Sequence, residues 1–292
     1  MSDVPSLDKV LQRVGDLPAM PEVVAEAVDQ MSQPDVDMAE IAQTIGRDPA
    51  LTAKLLKVAN SPYYGMRQVV GSLKLAMVIL GAREIRNILI GVTMMDTFDD
   101  DRTAAITRGN FWDHSFRVAA LSKRISEHYK LRFQGEDFIA GLLHDIGKLV
   151  LYRQLPREYA PIFQQASSSE AEIESMENVA FGFDHSDAGG AIARVWNLPE
   201  TLRDAVMYHH IKEGRPLADA KDPKLAAVVR VANLAAEEDV LSESFLPTEA
   251  GCCTDPEAWS ALEAAAEGAP ATRHEMLIEF VSEVNESPPL KF

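Results

Sequence analysis

Cysteine is nearly absent: the chain's only two, Cys252 and Cys253, are neighbours. Adjacent thiols cannot staple distant segments, so no disulfide framework is expected and a reduced, cytoplasmic setting is. The pair is read as two loop thiols, with redox activity or a share in a zinc site as the alternatives. Positive charge is scarce too, with 28 Lys plus Arg against 45 Asp plus Glu and a formal net charge of −17. Such a surface repels phosphate backbones and anionic headgroups, which argues against nucleic acid or a membrane as the partner. Arg83, Arg86 and Arg108, or Lys212 and Arg215, are candidate basic patches, equally well read as solvated helix faces. No apolar run is long enough to span a bilayer, and charges throughout the first thirty residues argue against a secretory signal. Internal repeats, coiled-coil heptads and strand-period segments are also missing.

What is present is the helical period. Hydrophobic residues make up 47% of the 292 positions, enough for a sizeable core in one large or two medium domains. Apolar spacing predicts an opening segment from Val10 to Gly15, a helix over 21–32, and helices ending at Asn60, Gly81 and Phe98. Asp37 and Glu40 have capping-box spacing, Asp48-Pro49 reads as an N-cap with proline at the first helical position, and Ser72 caps a further helix. The run Asp99-Asp-Asp-Arg102 interrupts the pattern. It is the expected boundary between an N-terminal helical subdomain, residues 1–98, and a second bundle, residues 103–240, packed against it. Ser167 to Ser169 look like a turn between two helices, and Asn197-Leu-Pro199 and Pro223 open later ones. Residues 241–292 form a separate extension: a loop to 255, an alanine-rich helix over 256–266, and a last helix capped by Thr272 with Glu275. The extension either packs back on the body or offers a surface to another subunit, and packing back suits short amphipathic helices better.

The most informative stretch is Phe138 to Leu151, which carries His144-Asp-Ile-Gly-Lys148 inside an apolar run. Ile139, Leu142, Leu143, Ile146, Leu149 and Val150 follow helical spacing and surround the polar pair. An imidazole and a carboxylate buried there need partners, since an unpaired buried charge costs several kcal/mol, roughly, even after relaxation. A cation suits both. Four more of the seven histidines have similar settings. His114 leads the stripe Val118, Leu121, Ile125; His185 leads Ala188, Ile192, Trp196; His209 and His210 follow Leu202, Ala205 and Val206. Each alone could be a core histidine bonded to a carbonyl, and His-His at a helix end could be favourable charge near the dipole. Together, five imidazoles and Asp145 from four helices describe a site for one or two ions with mixed nitrogen and oxygen ligands.

These residues resemble the HD superfamily of metal-dependent phosphohydrolases, and more narrowly the HDOD family of bacterial signalling output domains. The matching pieces are Trp112-Asp-His-Ser115, His144-Asp-Ile-Gly-Lys148, Phe181-Gly-Phe-Asp-His-Ser186 and Tyr208-His-His210. In the N-terminal half they are Leu17-Pro-Ala-Met-Pro21, Arg47-Asp-Pro-Ala-Leu51, Ala59-Asn-Ser-Pro-Tyr-Tyr-Gly65 and Leu80-Gly-Ala-Arg-Glu84. The resemblance spans residues 10–235 and implies an all-α fold.

It also implies a ligand set: His114, His144 and Asp145 toward one divalent cation, and Asp145, His185 and His209 or His210 toward a second. Iron or manganese suits such donors. In catalytic relatives a metal-activated water attacks phosphorus, which would make Asp145 and Lys148 catalytic, Lys148 reaching a substrate phosphate. The other reading of Lys148 is a helix lysine whose stem lies along apolar surface. Three departures weigh against hydrolysis. Asn233 stands where the superfamily usually ends its ligands with aspartate, leaving it a weak ligand or a supporting side chain. Glu213-Gly-Arg-Pro216 lacks the tyrosine of the cyclic-dinucleotide phosphodiesterases, and Asn110 replaces their glutamate. The implied role is a signal-transduction output module acting on other signalling proteins. The alternative is a phosphohydrolase acting on a nucleotide or other phosphoester.

Overall fold

The computed structural model describes residues 20–31, 33, 37–61, 64, 66, 68–98, 103, 111–165, 170–238, 240–242, 244–263 and 269–286. Among them there are helices and turns and no strand, so the all-α expectation is met. The opening segment at Val10 to Gly15, the Asp99–Arg102 boundary, Asn110 and the serine turn at 167–169 lie outside the described residues.

The N-terminal half contains α1 (Glu22–Met31), α2 (Met38–Gly46), α3 (Pro49–Ala59), α4 (Leu73–Leu80) and α5 (Ala82–Phe98). Their starts follow the sequence signals. Asp37 accepts from the amides of Ala39 and Glu40, one half of the expected capping box. Asp48 accepts from Ala50 and Leu51 with Pro49 following it, and Ser72 accepts from Leu75. Capping of this kind is worth about 1 kcal/mol each. The helices bury Val24, Ile41, Ile45, Leu55, Met77, Ile85 and Leu89 against one another. Helix α5 then serves two cores, because Ile90, Met94 and Phe98 join the core of the second half.

That half consists of α6 (Phe111–His128), α7 (Glu136–Leu143), α8 (Ile146–Gln154), α9 (Pro156–Gln165), α10 (Glu170–Phe181), α11 (His185–Val195), α12 (Glu200–Met207) and α13 (Pro223–Glu237). The apolar run through His144 is not one helix. It breaks between Leu143 and Ile146, where Asp145 adopts φ −96°, ψ 6° and its carbonyl accepts from the Lys148 amide at 2.9 Å. Apolar spacing continues across the break because both helices are buried on most sides, so periodicity could not register it. The turn carries Asp145 off the helical path and into the interior.

Helix α8 lies against the first turn of α11 with glycine at the contact. A Cβ at Gly147 would overlap the His185 carbonyl oxygen and sit 2.7 Å from the Gly189 amide nitrogen. Helix α11 is capped by Asp184, whose carboxylate accepts from the Ser186 and Asp187 amides while the Asp187 carboxylate accepts from the Asp184 amide.

The extension packs back. Its elements are α14 (Gly251–Thr254), α15 (Pro256–Leu262) and α16 (Pro270–Glu286). Cys252, Cys253, Trp259, Leu277 and Phe280 are buried with Val118, Leu121 and Ile125 of α6 and Val228 and Val231 of α13. Each large apolar side chain so buried contributes roughly 1.5–3 kcal/mol. Two local expectations are corrected. Residues 251–254, read as loop, form a helical turn whose amides Gly251 and Cys252 bond the Glu238 carboxylate. The last helix starts at Pro270, whose missing N–H costs nothing in a first turn, so Thr272 lies inside the helix instead of capping it.

Gly147→Ala is expected to destabilise the protein by about 1–3 kcal/mol or more, since the obstacle is backbone and cannot swing aside. Urea denaturation would measure it, and an unchanged midpoint would show the helices closer than they need be.

Candidate metal centre

Five imidazoles and one carboxylate do meet. Asp145 sits at the centre, 2% exposed, with one oxygen toward each of two histidine groups. On one side, Oδ2 lies 3.4 Å from His144 Nε2 and 3.9 Å from His114 Nε2, and those two ring nitrogens are 3.3 Å apart. On the other, Oδ1 lies 3.4 Å from His185 Nε2 and 3.5 Å from His209 Nε2. His210 completes that group through its Nε2, 2.9 Å from His185 Nε2. The sets His114–His144–Asp145 and Asp145–His185–His209–His210 each bring their donor atoms within 4.8 Å of one another. Asn233, from α13, reaches His114 Nε2 with its Oδ1 at 3.0 Å.

The outer nitrogens decide what the inner ones offer. His144 Nδ1 donates to the Gly141 carbonyl at 2.7 Å, and His209 Nδ1 donates to the Val206 carbonyl at 2.5 Å. A carbonyl only accepts, so each Nδ1 carries a proton and Nε2 is the nitrogen turned inward. His185 Nδ1 bonds the Glu177 carboxylate at 2.7 Å, and the same carboxylate takes the His185 amide at 2.9 Å. Tyr159 in turn donates to Glu177 at 2.6 Å. Histidines held by a carboxylate or carbonyl behind them are the usual supports of metal-binding imidazoles.

The electrostatics fit a cation. Asp145 is held well below the usual carboxylate range: burial pushes it up, but His144 and the Lys148 ammonium outweigh that. Burial lowers His209 to about 4 and takes His210 well below its ordinary value, so both rings are neutral and able to donate a lone pair. Burial would lower His185, but Glu177 outweighs it and raises the ring to about 9, so a cation at this Nε2 would have to displace a proton shared with His210. Two buried atoms, Asp145 Oδ1 and His209 Nε2, lack a hydrogen-bond partner although they face each other. Both are electron-pair donors, and orphaned buried acceptors aimed at one point are what a divalent ion satisfies. Nitrogen and carboxylate donors of this kind suit a divalent transition metal, and the residue types do not single one out.

Lys148, expected to reach a substrate phosphate, is buried and turned onto Asp145 Oδ2 at 2.6 Å. The residues that the sequence reading missed are those behind the histidines. Glu177 sits on the same face of α10 as Ile173 and Phe181, and a carboxylate within an apolar stripe was the available signal. Glu174 lies one turn earlier, its carboxylate 3.9 Å from His210 Nδ1 and raised to about 7 by burial. Asp184 is buried against Lys212 at 2.5 Å, so that lysine is no free basic patch.

The fold and the cluster define a helical domain of the HD type, with its histidines turned inward around one His-Asp pair. The HDOD domain model matches residues 17–212, and the chain belongs to the HDOD family. A solved HDOD domain protein with unknown function from Geobacter sulfurreducens is similar at 24% identity and a TM-score of 0.73, covering 95% of this chain and 96% of that one. A candidate phosphohydrolase from Shewanella amazonensis SB2B is similar at 22% identity and a TM-score of 0.66, covering 95% and 97%. These likenesses concern the fold. An uncharacterized protein of Treponema pallidum is 25% identical over 232 residues, 77% of this chain and 43% of the relative. The chain thus spans under half the length of that curated relative. No described helix is long and apolar enough to cross a membrane.

Glu177→Gln, which keeps shape but loses charge, is expected to weaken binding of a divalent ion about 10- to 100-fold. Isothermal titration of metal-free protein would measure it, and equal affinities would remove Glu177 from the site. The depressed His209 also sets a pH dependence. Unfolded, it takes a proton below its ordinary value of 6.5; folded, it does not until about 4. Stability of the metal-free protein should therefore fall as pH drops from 6.5 to 4, at up to roughly 1 kcal/mol per pH unit from this group. His209→Gln should flatten that part of a stability–pH curve.

Proposed function

We propose that this chain is a signal-transduction output domain whose interior holds one or two divalent cations, iron or manganese by preference. It acts by binding other signalling proteins. The observation that carries the reading is the burial of the convergent donors: His144, Asp145, His185 and His209 are each at most 2% exposed. An ion in that setting holds helices α6, α7, α8, α11 and α12 at one point, which suits a structural or sensing role. The formal charge of −17 supports a protein partner over nucleic acid. Asn233, neutral where the superfamily carries a charge, leaves two cations less compensated than in the hydrolytic relatives.

One observation favours the second reading, a metal-dependent phosphohydrolase acting on a nucleotide or other phosphoester. The His114 side chain is 21% exposed, so the cluster has one side near solvent through which a phosphate oxygen could approach.

Elemental analysis of the purified protein separates the possibilities, run beside His144→Ala and Asp145→Ala. The expected result is bound iron or manganese in the parent and none in Asp145→Ala. At about 100-fold excess over Kd the ion should add roughly 3 kcal/mol of stability, visible as a raised melting temperature. No turnover of bis-p-nitrophenyl phosphate or nucleoside triphosphates should follow added iron(II) or manganese(II). Turnover that needs the metal and disappears in Asp145→Ala would replace the regulatory reading with the hydrolytic one.

A further inference from the structure

Helix α12 ends at Met207, with Tyr208 between it and the His209–His210 pair, and a helix C-terminus leaves its last carbonyls without intrahelical partners. Here three successive carbonyls each receive a donor from a different source. Val206 O accepts from His209 Nδ1 at 2.5 Å, Met207 O from Arg215 at 2.9 Å, and Tyr208 O from Arg230 Nε at 2.9 Å. The first bond is made by a site imidazole itself. The other two fix the peptide groups from which the His209–His210 pair projects. Both arginines are anchored behind. Arg215 bonds the carboxylate of Asp187 and the Ser186 hydroxyl, both in the first turn of α11 beside His185.

Arg230 is anchored by the extension. It is fully buried, and its Nη1 donates to Glu257 at 3.1 Å and Asp255 at 3.4 Å. Those two residues open α15, where Asp255 accepts from the amides of Glu257 and Ala258. Glu257 also takes the Leu217 amide at 3.3 Å. A buried guanidinium is costly without anionic partners, so Arg230 stays at Tyr208 only while α15 supplies its carboxylates. Arg230 also lies one turn before Asn233, which meets His114 on the other side of the cluster. The matched family model ends at residue 212, before any part of this arrangement on α13 and α15.

We propose that Arg230 is a positioning residue for the His209–His210 pair, and that the segment 251–262 acts on the cation site through it. The proposal rests on the reading of the cluster as a cation holder. With Arg230 removed, the Tyr208 carbonyl loses its donor and the peptide ahead of His209 is free to rotate, carrying Nε2 away from Asp145. The extension is then a part of the site at one remove, through a single guanidinium.

The test uses the full-length protein, cobalt(II) as the probe, and three variants. Arg230→Met removes both ends of the link, Arg230→Lys keeps a buried cation, and Leu277→Ala loosens the same core without touching the link. Arg230→Met is expected to bind cobalt(II) about 10- to 100-fold more weakly with an altered visible spectrum. Arg230→Lys should recover part of both, while Leu277→Ala, though less stable, should keep the parent's affinity and spectrum. If Arg230→Met matches the parent in affinity and spectrum, and merely melts earlier as Leu277→Ala does, the positioning role is overturned. If the parent binds no cobalt(II), the cation reading fails on its own. The positioning claim is then decided by imidazole nitrogen-15 spectra of the metal-free proteins. Displaced His209 and His210 signals in Arg230→Met but not in Leu277→Ala sustain it, and unmoved signals overturn it.

Discussion

Helices α6, α7, α8, α11 and α12 bring their polar side chains to one buried carboxylate. Asp145 has two oxygens, and each faces its own group of ring nitrogens, so a single side chain joins residues that lie up to 95 positions apart in sequence, from His114 to His209. Burying a carboxylate among aliphatic side chains is unfavourable by several kcal/mol, roughly, unless positive charge or donors surround it. Here the compensation is local and complete enough to hold the group ionised. The break between α7 and α8 exists for this: an uninterrupted helix would keep the Asp145 backbone on the helical path, whereas the turn delivers its side chain inward. The glycine that follows two residues later lets α8 approach α11 closely enough for His185 to reach the same carboxylate.

Much of this was legible from the residues alone, and for physical reasons. Asp37, Asp48 and Ser72 mark helix starts because their short acceptors satisfy amides that have no other partner, a need that is wholly local. His114 and His185 were legible because each sits on an apolar stripe, and a stripe at helical spacing fixes which way its members point. His114 with Val118, Leu121 and Ile125 is the plainest case. The break at His144-Asp145 was not legible, since a segment buried on nearly every side has no polar face to show where the period changes. Nor was Thr272 as an interior residue, because Pro270 two positions earlier starts that helix just as well.

The groups behind the histidines were the least visible. Glu177 supports His185 from 8 residues away, but Arg230 supports Tyr208 across 22 and is itself held from 25 and 27 residues further on. No short pattern encodes such a chain. What the sequence does show is the oddity of each link: a glutamate, a tyrosine and an arginine at positions where helical period calls for apolar residues. Polar residues at core positions carry more information than the core itself, since each requires a named partner.

The bond between Lys148 and Asp145 makes the central carboxylate a contested acceptor. The Lys148 ammonium lies 2.6 Å from Asp145 Oδ2, so the chain itself supplies a counter-charge to its central carboxylate. Anything else that sought the same oxygen would have to compete with that lysine, and its access would depend on how readily the side chain swings aside.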